Sequence, residues 1–242
     1  MSDTALIQPA VKADRRLIVP LDVPTVAEAR ALVAALGEAV SFYKIGLELF
    51  ATEGMALARE LKAEGKQVFL DWKLHDIGTT VQKAAAALAA ADCGDFLTVH
   101  GEPQVMASAV RGRGTGGNLK ILAVTVLTSL DDADLKEMGY AEGARALVER
   151  RIHQAIAAGC DGVISSPHEA ELARTIGGKG FLVVTPGVRP DWSAKNDQAR
   201  AATPLDALKA GASHVVCGRP ITAANDPQAA ALRVAAEMAQ AG

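Results

Sequence analysis

Eight short runs rich in β-branched residues recur along the chain, each followed by a longer Ala-rich stretch. No other feature constrains the fold as much as this alternation. The runs are Leu17–Leu21, Ser41–Ile45, Val68–Trp72, Phe96–His100, Ile121–Val126, Gly162–Ser165, Leu182–Thr185 and His214–Cys217. Between them the apolar residues step by three and four, as in Val26, Ala29, Val33 and Leu36, or Val148, Ile152 and Ile156, which is one face of a helix. Gly37, Gly65, Gly94, Gly159 and Gly211 stand where such helices should stop, and Pro24, Pro167 and Pro227 where they should start. Eight strand–helix repeats in 242 residues predict an α/β chain folded as a (β/α)8 TIM barrel. A doubly wound sheet shares the alternation and is the runner-up. No linker or shift in composition marks a boundary, so residues 1–242 are expected to form one barrel domain, with 1–15 as an N-terminal extension. The acidic, turn-rich stretch Leu130–Gly143 reads as an elaborated connection after the fifth strand.

Charge and hydropathy remove several functions. Lys and Arg number 25 against 28 Asp and Glu, a net −3, which argues against a general nucleic-acid binder. The longest run without a charged residue is ten residues, Ile121–Leu130, half of the roughly 20 needed to span a membrane. Gln8 and Pro9 interrupt the N-terminal stretch where a signal peptide needs an apolar core. Cys93, Cys160 and Cys217 are odd in number and lack metal spacing. A cytoplasmic protein with no membrane or nucleic-acid partner is the expectation.

In a barrel of this kind the site is built at the C-terminal ends of the strands. Those ends read Asp22, then Lys44, then Asp71-Trp72-Lys73 with Asp76 close behind, then His100, then Thr125 and Thr128. One charged residue at a strand end is usually a solvated one, but several of alternating sign are not explained that way. Asp71 and Lys73 are two apart on a strand and should face the mouth together, with Trp72 turned outward to the helices or a partner. Lys44, Asp71, Lys73 and Asp76 form an alternating array. Carboxylates around Lys73 favour its ammonium form, which suits it to donate a proton and makes it a poor Schiff-base nucleophile. Val184–Pro190 and Cys217–Thr222 leave the seventh and eighth strands, where this fold commonly holds a phosphate. Gly187 and Gly218 let backbone N–H groups approach an anion, and Arg189 and Arg219 supply charge.

Other signals are weaker. Arg111–Asn118 is glycine-rich but follows a helix and precedes a strand, the reverse of a dinucleotide fingerprint. The five histidines show no metal spacing, and His153 and His168 read as ordinary helix residues. Ser165-Ser166 before Pro167 reads as a helix cap.

These segments resemble the orotidine 5'-monophosphate decarboxylase family from about Leu17 onward. The most specific is FLDWKLHDIGTT, Phe69–Thr80, similar to the family's Asp-x-Lys-x-x-Asp signature. Beside it stand Pro20–Asp22, Tyr43–Gly46, Val124–Ser129, VTPGVRP and GRPIT in the family's order. The resemblance implies decarboxylation of orotidine 5'-monophosphate to UMP with no metal and no organic cofactor. It implies Lys73 as proton donor, with Asp71, Lys44 and Asp76 completing the array. Asp22 and Lys44 would hold the ribose, and Thr128 would lie near the pyrimidine. Arg189, Gln198, Gly218 and Arg219 would hold the phosphate, and Gln198 would bridge toward the base. It also implies a homodimer with shared sites, to which Asp76 and Thr80 contribute across the interface. Gly78-Thr79 and HGEPQVM depart from the family's usual loops without touching these residues. A magnesium-dependent sugar-phosphate decarboxylase or aldolase of related barrel type is the alternative. It needs an acidic metal ligand at the end of the second strand, where this chain has Lys44. A barrel that only binds a nucleotide leaves the array unexplained.

Overall fold

A computed structural model describes residues 13–193 and 202–242. Most of the expected extension (1–12) and Gln198 lie outside the described residues. Eight parallel strands close on themselves in chain order: β1 (Leu17–Pro20), β2 (Phe42–Ile45), β3 (Gln67–Leu74), β4 (Phe96–His100), β5 (Lys120–Val124), β6 (Gly162–Ile164), β7 (Leu182–Pro186) and β8 (His214–Val216). The predicted barrel is therefore observed, and the doubly wound sheet is not. Around it run α1 (Val26–Leu36), α2 (Leu47–Phe50), α3 (Gly54–Ala63), α4 (Gly78–Ala91), α5 (Pro103–Arg113), α6 (Asp132–Glu137), α7 (Ala144–Ala158), α8 (Ala170–Gly177), α9 (Pro204–Lys209), α10 (Arg219–Thr222) and α11 (Pro227–Met238).

Local chemistry sets the helix ends. The Thr25 hydroxyl accepts from the Glu28 N–H at the start of α1, and Asp226 does the same for Ala229 ahead of Pro227 in α11. Gly159 ends α7 in the left-handed conformation, as expected. Gly94 does not cap α4; Asp92 does, at φ 44°. Gly94 instead makes room: a Cβ there would sit 2.7 Å from Leu70 Cδ1. The stretch after β5 holds α6, begun by a capping box on Asp131.

The two-residue period of the strands separates two cores. Leu17, Val19, Tyr43, Val68, Leu70, Leu97, Val99, Ile121 and Val183 face the helices. Ile18, Phe42, Phe69, Phe96, Leu122, Val184 and Val216 face inward and fill the barrel. Three of these are phenylalanines packed edge to face, with ring centres 5.0 Å apart for Phe42–Phe96 and 6.0 Å for Phe69–Phe96. His214 closes the floor with its ring edge-on to Phe42 and Phe96 at 5.8 and 5.1 Å. The plugged interior leaves the next inward positions up the strands (Pro20, Lys44, Asp71, Thr98, Val124, Ile164, Pro186) to form the mouth.

Candidate active site

The mouth holds a cavity of about 340 Å³, within the size range of small-molecule sites. Asp22, Lys44, Asp71, Lys73, Thr128, Arg189, Gly218 and Arg219 all line it. The sequence reading named each of them.

The charged side is a chain of contacts. Lys44 Nζ lies 3.0 Å from Asp22 Oδ1 and 3.4 Å from Asp71 Oδ2, and Lys73 Nζ donates to Asp71 Oδ1 at 2.8 Å. Strand period brings Asp71 and Lys73 to the same face, as predicted, but β3 does not continue regularly. Its register with β4 shifts between Leu70 and Leu74, and Lys73 takes a φ of 47°. That backbone region is strained for a residue with a Cβ and is found where surrounding structure enforces it. One enforcing contact is the Lys73 N–H, which donates to Thr98 Oγ1 at 3.0 Å. The same hydroxyl donates to Asp71 Oδ1 at 3.0 Å, so Thr98 holds both members of the pair. Sequence reasoning missed Thr98. Its signal was positional, since it occupies the inward place between Phe96 and His100. Gly46 was missed as well: a Cβ there would meet Asp22 Oδ1 at 3.0 Å and Lys44 Nζ at 3.4 Å.

Burial alone would push the Asp71 carboxyl up. The charges of Lys44 and Lys73, with hydrogen bonds from Lys73 and Thr98, outweigh it and hold the group below the ordinary carboxylate range. Asp71 is thus an anion locked between two cations.

Asp76 is not part of this intrachain series of contacts; the resemblance assigns it to the array of a second copy. The intrachain series is Asp22–Lys44–Asp71–Lys73. Among the described residues Asp76 makes no ion pair; it is exposed, and its carboxylate accepts from the Ile77 N–H at 2.6 Å. Thr80 is also exposed, on the first turn of α4, away from the cavity lining. Trp72 points outward, buried against Phe50 with ring centres 4.5 Å apart. His100 does not line the cavity; its ring stacks on His75 at 4.6 Å, and burial lowers its pKa.

The opposite side is mostly backbone and apolar surface. Val124, Val126, Leu127 and Ile164 form a wall with Thr128. Gly187 takes φ 78° after β7, and the Arg189 N–H donates to the Ala202 carbonyl at 2.9 Å. Gly218 faces β1 closely, since a Cβ would lie 3.0 Å from Pro20 Cγ. Among the described residues no group of three or more His, Cys, Asp or Glu is arranged to hold a metal ion.

Comparison with known proteins agrees over nearly the whole chain. An orotidine 5'-phosphate decarboxylase of Caulobacter sp. (strain K31) is 74% identical over 229 residues, covering 95% of this chain and 99% of that protein. One of Rhodopseudomonas palustris (strain HaA2) is 55% identical over 230 residues, covering 95% and 97%. The crystal structure of the orotidine 5'-phosphate decarboxylase from Lactobacillus acidophilus superposes with a TM-score of 0.82 at 38% identity, covering 93% of this chain and 99% of that one. The profile described as "Orotidine 5'-phosphate decarboxylase / HUMPS family" matches residues 15–234, and the chain belongs to that family.

Proposed function

We propose that this barrel mouth decarboxylates orotidine 5'-monophosphate to UMP, a step of pyrimidine nucleotide synthesis, using its own side chains and no cofactor. The observation that carries the reading is the Lys44–Asp71–Lys73 cluster at the cavity edge, with Nζ–Oδ distances of 3.4 and 2.8 Å. A cation at the end of β2 also speaks against the magnesium-dependent alternative, because Lys44 repels a divalent ion from the place its ligand would occupy.

Loss of carbon dioxide from C6 leaves an electron pair on a ring carbon that cannot delocalise it. The Lys73 ammonium stabilises that charge as it develops and then transfers its proton to C6. Solvent returns a proton to the amine, so the balance is substrate plus one proton giving UMP and carbon dioxide. Asp71 orients Lys73 before the reaction through their 2.8 Å contact. Its anion also lies beside the departing carboxylate. Asp22 and Lys44 hold the ribose hydroxyls, and Thr128 contacts the base. Arg189, Arg219, the Gly218 backbone and Gln198 bind the phosphate. Binding energy from that distant group supports the transition state when it orders the site around the base.

The same reading makes the enzyme a cytoplasmic homodimer, its single barrel domain working with a second copy. In its support, Leu47, Phe50 and Ile77 are 55%, 46% and 70% exposed; Ile77 follows Asp76 directly, and Phe50 packs on Trp72 of β3. Such apolar exposure suits a covered face. Among the described residues no helix is long and apolar enough to cross a membrane.

Two measurements test this. Chelator-treated protein should convert orotidine 5'-monophosphate to UMP, followed by the loss of the substrate's absorbance; no turnover would reject the function. Lys73→Ala and Asp76→Ala chains, each nearly inactive alone, should regain about a quarter of parental activity after unfolding and refolding together. Random pairing makes about half the dimers mixed, each with one intact site of two. Confirmed exchange without recovery would reject the shared site and leave the decarboxylase reading standing.

A further inference from the structure

Arg151 projects from the middle of α7 and is largely buried, with 12% of its side chain exposed, yet it lines no part of the cavity. Its guanidinium gathers three separate segments. Nη1 donates to the Thr125 carbonyl just past the end of β5. Nη2 donates to Tyr140 Oη at 2.9 Å and to Glu102 Oε1 at 3.3 Å, and the group stands 5.6 Å from the centre of the Tyr140 ring. The stem reaches these partners by passing beneath the turn after β4. A Cβ on Gly101 would sit 3.0 Å from Arg151 Cδ and 2.5 Å from the Val124 carbonyl oxygen, so that turn admits only glycine without rearrangement.

The three segments have one thing in common, which is the base side of the mouth. Thr125 is followed directly by Val126, Leu127 and Thr128, all in the cavity wall. Tyr140 closes the long excursion that begins there, its N–H donating to the Leu135 carbonyl at 2.9 Å. Glu102 turns its other oxygen toward His75 Nε2, 3.7 Å away, and His75 lies between Lys73 and Asp76. A single buried cation therefore ties the wall opposite Lys73 to the turn after β4, whose Glu102 stands beside His75 in the segment that follows Lys73. The guanidinium reaches these acceptors from two separate nitrogens held in one plane, whereas the three donors of a lysine ammonium all radiate from a single atom.

We propose that Arg151 is a positioning residue for the pyrimidine, fixing the Val126–Thr128 wall relative to Lys73 without touching substrate. The proposal rests on the base lying against that wall, as described under the proposed function. It separates two parts of one ligand, because ribose 5-phosphate reaches only the ribose and phosphate contacts while UMP also meets the wall.

Binding of both ligands to the full-length enzyme, measured by calorimetry, tests it. Arg151→Met keeps the stem and removes the fork. It should weaken UMP binding about tenfold, the loss expected for one charged hydrogen-bond set, and leave ribose 5-phosphate within twofold. Arg151→Lys keeps the charge without the fork and should behave like Arg151→Met. Tyr140→Phe removes one acceptor, keeps the ring and should show the same split at smaller size, and it decides the matter if the Arg151 variants do not fold. Equal weakening of both ligands, no weakening of UMP, or full rescue by lysine would overturn the proposal. Thr128→Ala checks the underlying reading separately. If it weakens UMP while Arg151→Met does not, the inference fails and the base placement stands; if neither variant affects UMP, the base placement itself is wrong.

Discussion

The mouth and the floor of this barrel each bury an ionisable side chain, and the two respond in opposite ways. At the mouth Asp71 is largely buried yet remains an anion, because Lys44 and Lys73 stand within 3.4 and 2.8 Å of its oxygens. At the floor His214 sits against the edges of Phe42 and Phe96, and burial pushes its imidazole down to about 4. Asp14 pulls the other way but does not offset the lost solvation, and Arg16 adds to the shift. Burial is common to both, so the partners decide which group keeps its charge. The mouth keeps ionised groups where chemistry needs them, while the floor neutralises a ring and uses it as packing.

The most severe way to break the mouth is Lys73→Ala. Turnover should fall by at least about a thousandfold, since the proposed mechanism makes Lys73 both the stabilising cation and the proton donor. The fold should survive, because the side chain ends in the cavity rather than in the Phe42–Phe69–Phe96 layer. A steady-state assay beside a thermal unfolding scan checks both halves. Activity near the parent's would remove Lys73 from the chemistry.

That residue also shows how far the sequence could be read. The period of two along β3 placed Phe69, Asp71 and Lys73 on one face, and Phe69 proved to be core while the next two reached the mouth. Period alone could not reveal that Lys73 sits at φ 47°, since the strain comes from β4 and the register shift, both tertiary. Nor did it place Asp76: two positions past the end of β3, beyond the irregularity, spacing no longer fixes direction. Thr98 escaped because a lone hydroxyl in an apolar strand carries no pattern; its role appears only when Asp71 and the Lys73 N–H arrive beside it. Arg151 was invisible for a related reason. On α7 it occupies a polar position like its neighbours, and its three acceptors come from segments up to 49 residues away. The barrel itself was legible because eight alternations leave few other closures. Gly94 was misread as a cap because a glycine before a strand serves either to turn the chain or to let a neighbour come close.

The floor gives the next largest effect, through pH. The folded His214 has a pKa near 4 against an ordinary 6.5, so between these values the unfolded chain binds the proton and the folded chain does not. Stability is therefore undiminished above about pH 6.5 and is lost as pH falls toward 4, by about 3 kcal/mol in total. Asp71 has its pKa lowered, and its contribution is lost only at still lower pH, as its own carboxylate is protonated. Acid should thus loosen the floor before the mouth. Urea unfolding of the parent and of His214→Gln across pH 7 to 4 would show it: the parent's midpoint should fall steeply, and the variant's should fall less, keeping only the contribution of His100, whose pKa burial also lowers. Parallel slopes in the two proteins would place the acid-sensitive group elsewhere.

The smallest effect concerns the backbone strain that the mouth carries at Lys73. Among the described residues, Lys73 and Asp92 are the non-glycine positions with positive φ. A Cβ in that region costs about 1–2 kcal/mol, and glycine escapes the cost. Glycine also loses more freedom on folding, which returns about 0.5–1 kcal/mol of the gain. Comparing Lys73→Gly with Lys73→Ala removes the ammonium from both, so Asp71 is left with Lys44 and Thr98 in each, and only the backbone preference differs. Lys73→Gly should be the more stable of the two by about 0.5–1 kcal/mol, read from urea midpoints at pH 7.5, while both remain inactive. If alanine proved as stable as glycine or more so, the conformation at Lys73 would be no burden on the fold. Its contortion would then follow from the register shift alone, and no stability would be given up to aim the ammonium into the cavity.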